Sequence, residues 1–179
     1  MKRHKNNRLL RMTQYFKDLI VGYESAPNQA TKHAIYSYMV RFKEESDPHA
    51  VCYDMGMYVV LYKYATNPVQ RKQALDHINA IVDDDYQGED EIISNFKEFI
   101  LMKNFLHEDD LEDFDFMCMK MLYFFIDLIE ESLRPKKHHV VPLDPMGVLK
   151  TNLKEVAEIV KSAGMINLES YKIACKILS

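Results

Sequence analysis

The sequence predicts an all-α fold: one globular domain of seven or eight helices packed around two strongly apolar helices, with a C-terminal helical hairpin. Three observations predict it. Apolar residues recur at three- and four-residue spacings along nearly the whole chain. The pairs Asp47-Pro48, Asn67-Pro68 and Asp144-Pro145 each place a capping side chain before a proline. Proline suits the first helical position, where its missing N–H would have had no intrahelical partner. Gly and Pro number only 5 and 6 among 179 residues, which excludes collagen-like, low-complexity and Gly-rich β architectures. A chain of this length buries roughly 70% of the surface its unfolded form exposes, so the fold needs no disulfide or metal staple.

The elements follow in order. A first helix spans about Asn7–Tyr23, with Leu9, Met12, Phe16, Leu19, Ile20 and Tyr23 on one face. A second runs from Asn28, a capping candidate after Pro27, to Glu45, with Ile35, Tyr38, Met39 and Phe42 inward. The third, Pro48 to about Thr66, is apolar nearly all round and should be buried on several sides. Its segment Tyr58–Tyr64 has the composition of a strand, but the apolar run continues past strand length. The fourth, Pro68 to Val82, buries Leu75, Ile78 and Val82. A fifth helix, about Glu89–Leu106, turns Ile92, Ile93, Phe96, Phe99 and Ile100 inward. A sixth begins within Glu108–Asp110 and reaches Leu133; it is the second all-round apolar element. Val59, Val60, Phe124, Phe125 and Leu128 on the two apolar helices are expected to be almost fully buried. Residues 135–142 form a linker between a core of residues 1–134 and a hairpin of residues 143–179, whose first helix, Pro145–Ala163, stops at Gly164. The last helix starts after Asn167.

Composition also bounds the setting. Cys52, Cys118 and Cys175 lie far apart with no CxxC pair, so they should be free, mostly buried thiols of a cytoplasmic protein. The basic start Met1–Lys5 is followed by apolar residues broken by Arg11, Lys17 and Asp18, unlike a secretory leader. The most apolar segment, Phe114–Ile129, is interrupted by Asp115, Lys120 and Asp127 and is too short to span a membrane.

Charge is the most informative feature. Residues 83–115 carry 13 acidic and 2 basic side chains, a net of −11, in a chain whose total is −4. Such a concentration repels itself unless a cation or a basic surface offsets it. Two helix N-termini fall in this stretch, and carboxylates favour that end of the helix dipole, so a solvated acidic face is one reading of it. The sharper reading is a docking surface for a protein partner with a basic surface, carried by Asp83, Asp84, Asp85, Glu108, Asp109, Asp110, Glu112 and Asp113.

Other motifs are weaker. Asp83-x-Asp85-x-Gln87-Gly88 follows the first half of a calcium loop, but position 8 is Asp90 and position 12 is Ser94, so the bidentate carboxylate is missing. The carboxylates of residues 108–115 could serve a divalent-metal-dependent nucleotide hydrolase. Only Glu155-x-x-Glu158 has the paired spacing such enzymes use, and no second pair follows. Arg71 and His77 have an Arg-x5-His spacing seen in some helical ribonucleases, and are expected on an exposed helix face without a catalytic role. No GxGxxG, Walker A, GxSxG, HExxH or CxxC element occurs, so no catalytic residue, metal ligand or cofactor is assigned. Leu153–Gly164 followed by Met165–Lys176 has the outline of a helix-turn-helix. With the basic N-terminus it offers a nucleic-acid-binding alternative through Lys2, Arg3, Lys5, Arg8, Lys136, Lys137, Lys172 and Lys176. Two lysines and no arginine on the second helix suit phosphate contact better than base reading. The function expected first is a non-enzymatic interaction module, of the kind common among phage- and virus-type inhibitors and regulators.

Overall fold

The computed structural model describes residues 14–45, 55–83, 89–133 and 145–179. Among them are eight helices and no strand. Helix α1 covers residues 14–24 and α2 covers Gln29–Glu45. Helices α3 (Met55–Tyr64) and α4 (Pro68–Val82) follow, then α5 (Glu89–Ile100) and two 3₁₀ turns, Leu101–Asn104 and Glu108–Asp110. The long α6 (Leu111–Leu133) leads to α7 (Pro145–Ser162) and α8 (Glu169–Leu178). The expected start of the third helix at Pro48, the linker 135–142 and Cys52 lie outside the described residues.

Local chemistry sets the boundaries. Asn28 caps α2, its side chain accepting from the Thr31 N–H at 2.9 Å. Asn67 caps α4 in the same way, 3.0 Å from the Gln70 N–H, with Pro68 at the first turn. The fifth helix ends earlier than its apolar pattern implies, at Ile100, and tightens into the 3₁₀ turn Leu101–Asn104. Helix α7 ends in a Schellman turn. Gly164 adopts φ 73°, its N–H reaches the Lys161 carbonyl, and the Met165 N–H reaches Val160. Lys103 adds a donor to the Ala163 carbonyl at that same helix end.

Two helices organise the rest. Helix α3 packs against α2, α4, α5 and the first 3₁₀ turn; α6 packs against α4, α5, α7 and α8. Helix α5 joins the two, with Phe99 stacked on Phe114 of α6 at 4.7 Å. The hairpin is continuous with this core: Leu149, Leu153, Val156, Val160, Met165 and Ala174 belong to the same buried cluster as Phe96, Phe125 and Met39.

The all-round burial expected of the central helices is only partly met. Val59 and Phe125 are buried, but Val60, Phe124 and Leu128 are half-buried. Phe116 of α6 is 49% exposed. Among the described residues each helix has neighbours on most sides but not all, so an apolar composition does not force every position inside. On α2 the inward tyrosine is Tyr36, while Tyr38 points out. Cys118 is buried beside Met165, with burial pushing its thiol pKa well up; Cys175 is exposed, against expectation, because α8 buries only one face.

Phe125 has no exposed surface. Its truncation to Ala should lower stability by roughly 3–5 kcal/mol. Phe124→Ala should cost distinctly less, as its ring keeps solvent contact. Urea unfolding of the two variants side by side checks both.

Candidate interaction surface

The acidic run enters α6 through a short 3₁₀ turn. His107 is extended and caps it, Nδ1 accepting from the Asp109 N–H at 3.3 Å. The acids that follow sit at a helix N-terminus, where the dipole favours negative charge.

Asp110 turns inward. Its Oδ2 accepts from the Tyr62 hydroxyl at 2.6 Å and from Arg71 Nε at 2.8 Å. The Tyr62 oxygen in turn accepts the His107 N–H at 3.1 Å. One carboxylate thus ties α3, α4 and the entrance of α6 together. The Arg71 and Asp110 side chains are only 13% and 14% exposed. A partly buried ion pair holds when further hydrogen bonds satisfy its groups, and Tyr62 supplies one. Arg71 is therefore not on an exposed face, as its sequence position suggested; its partner is a carboxylate 39 residues away. His77 is exposed and lies over the Tyr58 ring at 4.8 Å.

The other acids divide. Asp109 stays 75% exposed, 3.1 Å from His107 Nδ1 and 3.8 Å from Arg71 Nη2. Glu108, Glu112 and Asp113 are exposed and make no ion pair with a described residue. Asp83 pairs with Lys120 at 2.6 Å. Helix α4 meets the α6 segment at Arg71–Asp110 and again at Asp83–Lys120. Glu108, Asp109, Glu112 and Asp113 share the entrance of α6, and Asp83 reaches the same helix through Lys120, whose ammonium also lies over Phe116. Asp84 and Asp85 lie outside the described residues. Sequence reasoning missed two surface features. Leu111 and Phe116, each 49% exposed, sit among the carboxylates, and Lys120 lies over the Phe116 ring at 4.8 Å.

Of the alternative nucleic-acid residues, Lys172 and Lys176 are exposed one turn apart on α8, with Glu169 3.5 Å from Lys172. Lys2, Arg3, Lys5, Arg8, Lys136 and Lys137 lie outside the described residues. Among the described residues no three His, Cys, Asp or Glu side chains converge on a possible metal position, and no helix is long and apolar enough to cross a membrane. No protein-family model, curated protein or solved structure matches this chain.

Two outcomes follow from the anchor. Arg71→Met and Asp110→Asn should each destabilise by about 3 kcal/mol, the lower end for breaking a buried pair. In a double-mutant cycle their effects should be clearly non-additive, as contacting residues require. The second outcome concerns alkali. Burial, and then the hydrogen bond to Asp110, push the Tyr62 phenol from the ordinary 10.0 up to about 12. Burial raises Tyr36 to about 12 as well. A raised folded-state pKa contributes stability that is complete below the unfolded pKa and fades as pH climbs through the folded one. Stability should therefore fall between about pH 10 and 12. Unfolding curves across that window should show it, with a smaller fall in Tyr62→Phe.

Proposed function

We propose that this chain is a non-enzymatic interaction protein that binds a basic macromolecular partner through the carboxylates at the entrance of α6. The observation that carries this is the exposed group Glu108, Asp109, Glu112 and Asp113 around the half-exposed side chains of Leu111 and Phe116. Clustered like charge steers an oppositely charged partner toward a surface, and apolar side chains within it give the encounter something to bury. The internal anchor holds this turn in one conformation before any partner arrives, which lowers the entropy lost on binding. The reading includes a cytoplasmic setting, which the widely spaced cysteines support, and a regulator or inhibitor role of the phage or virus type.

The test is kinetic. A partner captured from the native host should bind less tightly as salt rises, because exposed charges are screened beyond about 8 Å at physiological ionic strength. Replacing Glu108, Asp109, Glu112 and Asp113 by Gln or Asn should slow association more than it speeds dissociation. Asp110 is left in place, since it holds the fold. Stability should stay level or rise slightly as repulsion is relieved. Unchanged affinity in both comparisons would leave these acids as a solvated face.

A second proposal concerns nucleic acid and rests on Lys172 and Lys176, exposed together on the outer face of α8. Binding of DNA or RNA by this route should fall steeply with salt and lose roughly two units of slope magnitude when both lysines become Gln. A flat salt dependence would dismiss it.

A further inference from the structure

A small cavity opens where the start of α2 meets the end of α1 and the turn between α3 and α4. Its volume is about 170 Å³, and it is lined by Tyr23, Gln29, Lys32, His33, Tyr36 and Thr66. Sites for drug-sized ligands begin near about 300 Å³, so this one suits a single small ion or organic acid. Its lining carries an ammonium, an imidazole, an amide and three hydroxyls, and no carboxylate. Lys32 makes no ion pair with a described residue; its ammonium stands 5.4 Å from the centre of the Tyr23 ring. Gln29, Lys32 and His33 come from the first turns of α2, whose opening turn contains no acid, so the positive end of the helix dipole faces the same region.

Tyr36 supplies an independent observation. The residue is only 4% exposed, yet its hydroxyl makes no hydrogen bond with a described residue. Buried phenols normally find a partner. The hydroxyl is not sealed in either: among the described residues, the sealed side-chain polar atom lacking a partner is Ser170 Oγ. The Tyr36 oxygen therefore reaches open space, and Tyr36 is one of the residues that line the cavity. With its pKa pushed to about 12 by burial and by the nearby Tyr23 phenol, it stays a neutral O–H donor at physiological pH. A lysine without an ion pair among the described residues, a largely buried phenol without a hydrogen-bond partner among them and a lining free of carboxylates together suit an oxyanion.

We propose that this cavity binds a small oxyanion, a carboxylate or phosphate group, with Lys32 supplying the charge and the Tyr36 hydroxyl donating a hydrogen bond. The proposal is independent of the acidic surface on α6.

Isothermal titration of the full chain tests it, with inorganic phosphate and with succinate as separate probes at constant ionic strength. Saturable binding of at least one probe is expected, with chloride giving none. The tighter probe assigns the oxyanion as phosphate or carboxylate. Lys32→Gln should weaken binding roughly tenfold, as loss of a charged hydrogen-bond partner implies. Tyr36→Phe, which keeps the ring and its packing, should weaken it about fivefold. No saturable heat from either anion, or binding that survives both substitutions, would overturn the proposal.

Discussion

The structure turns on one carboxylate. Asp110 receives hydrogen bonds from Tyr62 of α3 and Arg71 of α4 at the point where the chain enters α6. The two central helices, each apolar enough to attract neighbours from several directions, owe their relative placement at this end to a directional contact. Hydrophobic burial is nearly indifferent to a small rotation of one helix against another. A hydroxyl, a guanidinium and a carboxylate within hydrogen-bond distance are not. The Tyr62 oxygen extends the contact to the His107 N–H, so the backbone before the helix is held as well.

That contact also sorts the acidic stretch. Of the run from Glu108 to Asp113, one carboxylate is drawn inside and the rest face out. Internal pairing and external exposure therefore occur within one turn of chain. Among the described residues, part of the net charge of residues 83–115 is offset by Arg71, which meets Asp110 and Asp109, and by Lys120, which meets Asp83. Glu108, Glu112 and Asp113 stay exposed at the α6 entrance, beside Leu111 and Phe116, and Glu89, Asp90 and Glu91 gather at the start of α5.

How much of this was legible in the sequence depends on whether the cause is local. Helix starts at Asn28 and Asn67 and the stop at Gly164 are decided within a few residues, and they stand where the sequence places them. The helical state of Tyr58–Tyr64 was legible from the length of its apolar run. Inward faces were less so. Tyr36 and Tyr38 are both aromatic on one amphipathic helix, and only the position of α1 and α3 decides which is covered. Val60, Phe124 and Leu128 looked as apolar as their buried neighbours, but the packing leaves them half-buried. The charge run was plain to see; the inward turn of Asp110 was not, because Tyr62 and Arg71 are 48 and 39 residues away. The only local trace of the anchor was a basic residue on the helix whose Asn67-Pro68 cap was already recognised. The donors around Tyr36 were equally hidden, since residues from α1, α2 and the α3–α4 turn meet there only after folding.

The measurement closest to the central claim is amide hydrogen exchange in Asp110→Asn against the parent chain. If Asp110 fixes the entrance of α6, protection should drop first and most at residues 105–116 and around Tyr62 and Arg71, with the α7–α8 hairpin little changed. Exchange rates at the α6 entrance matching those of the parent chain would contradict the account, and would mean that apolar packing alone sets this end of the fold.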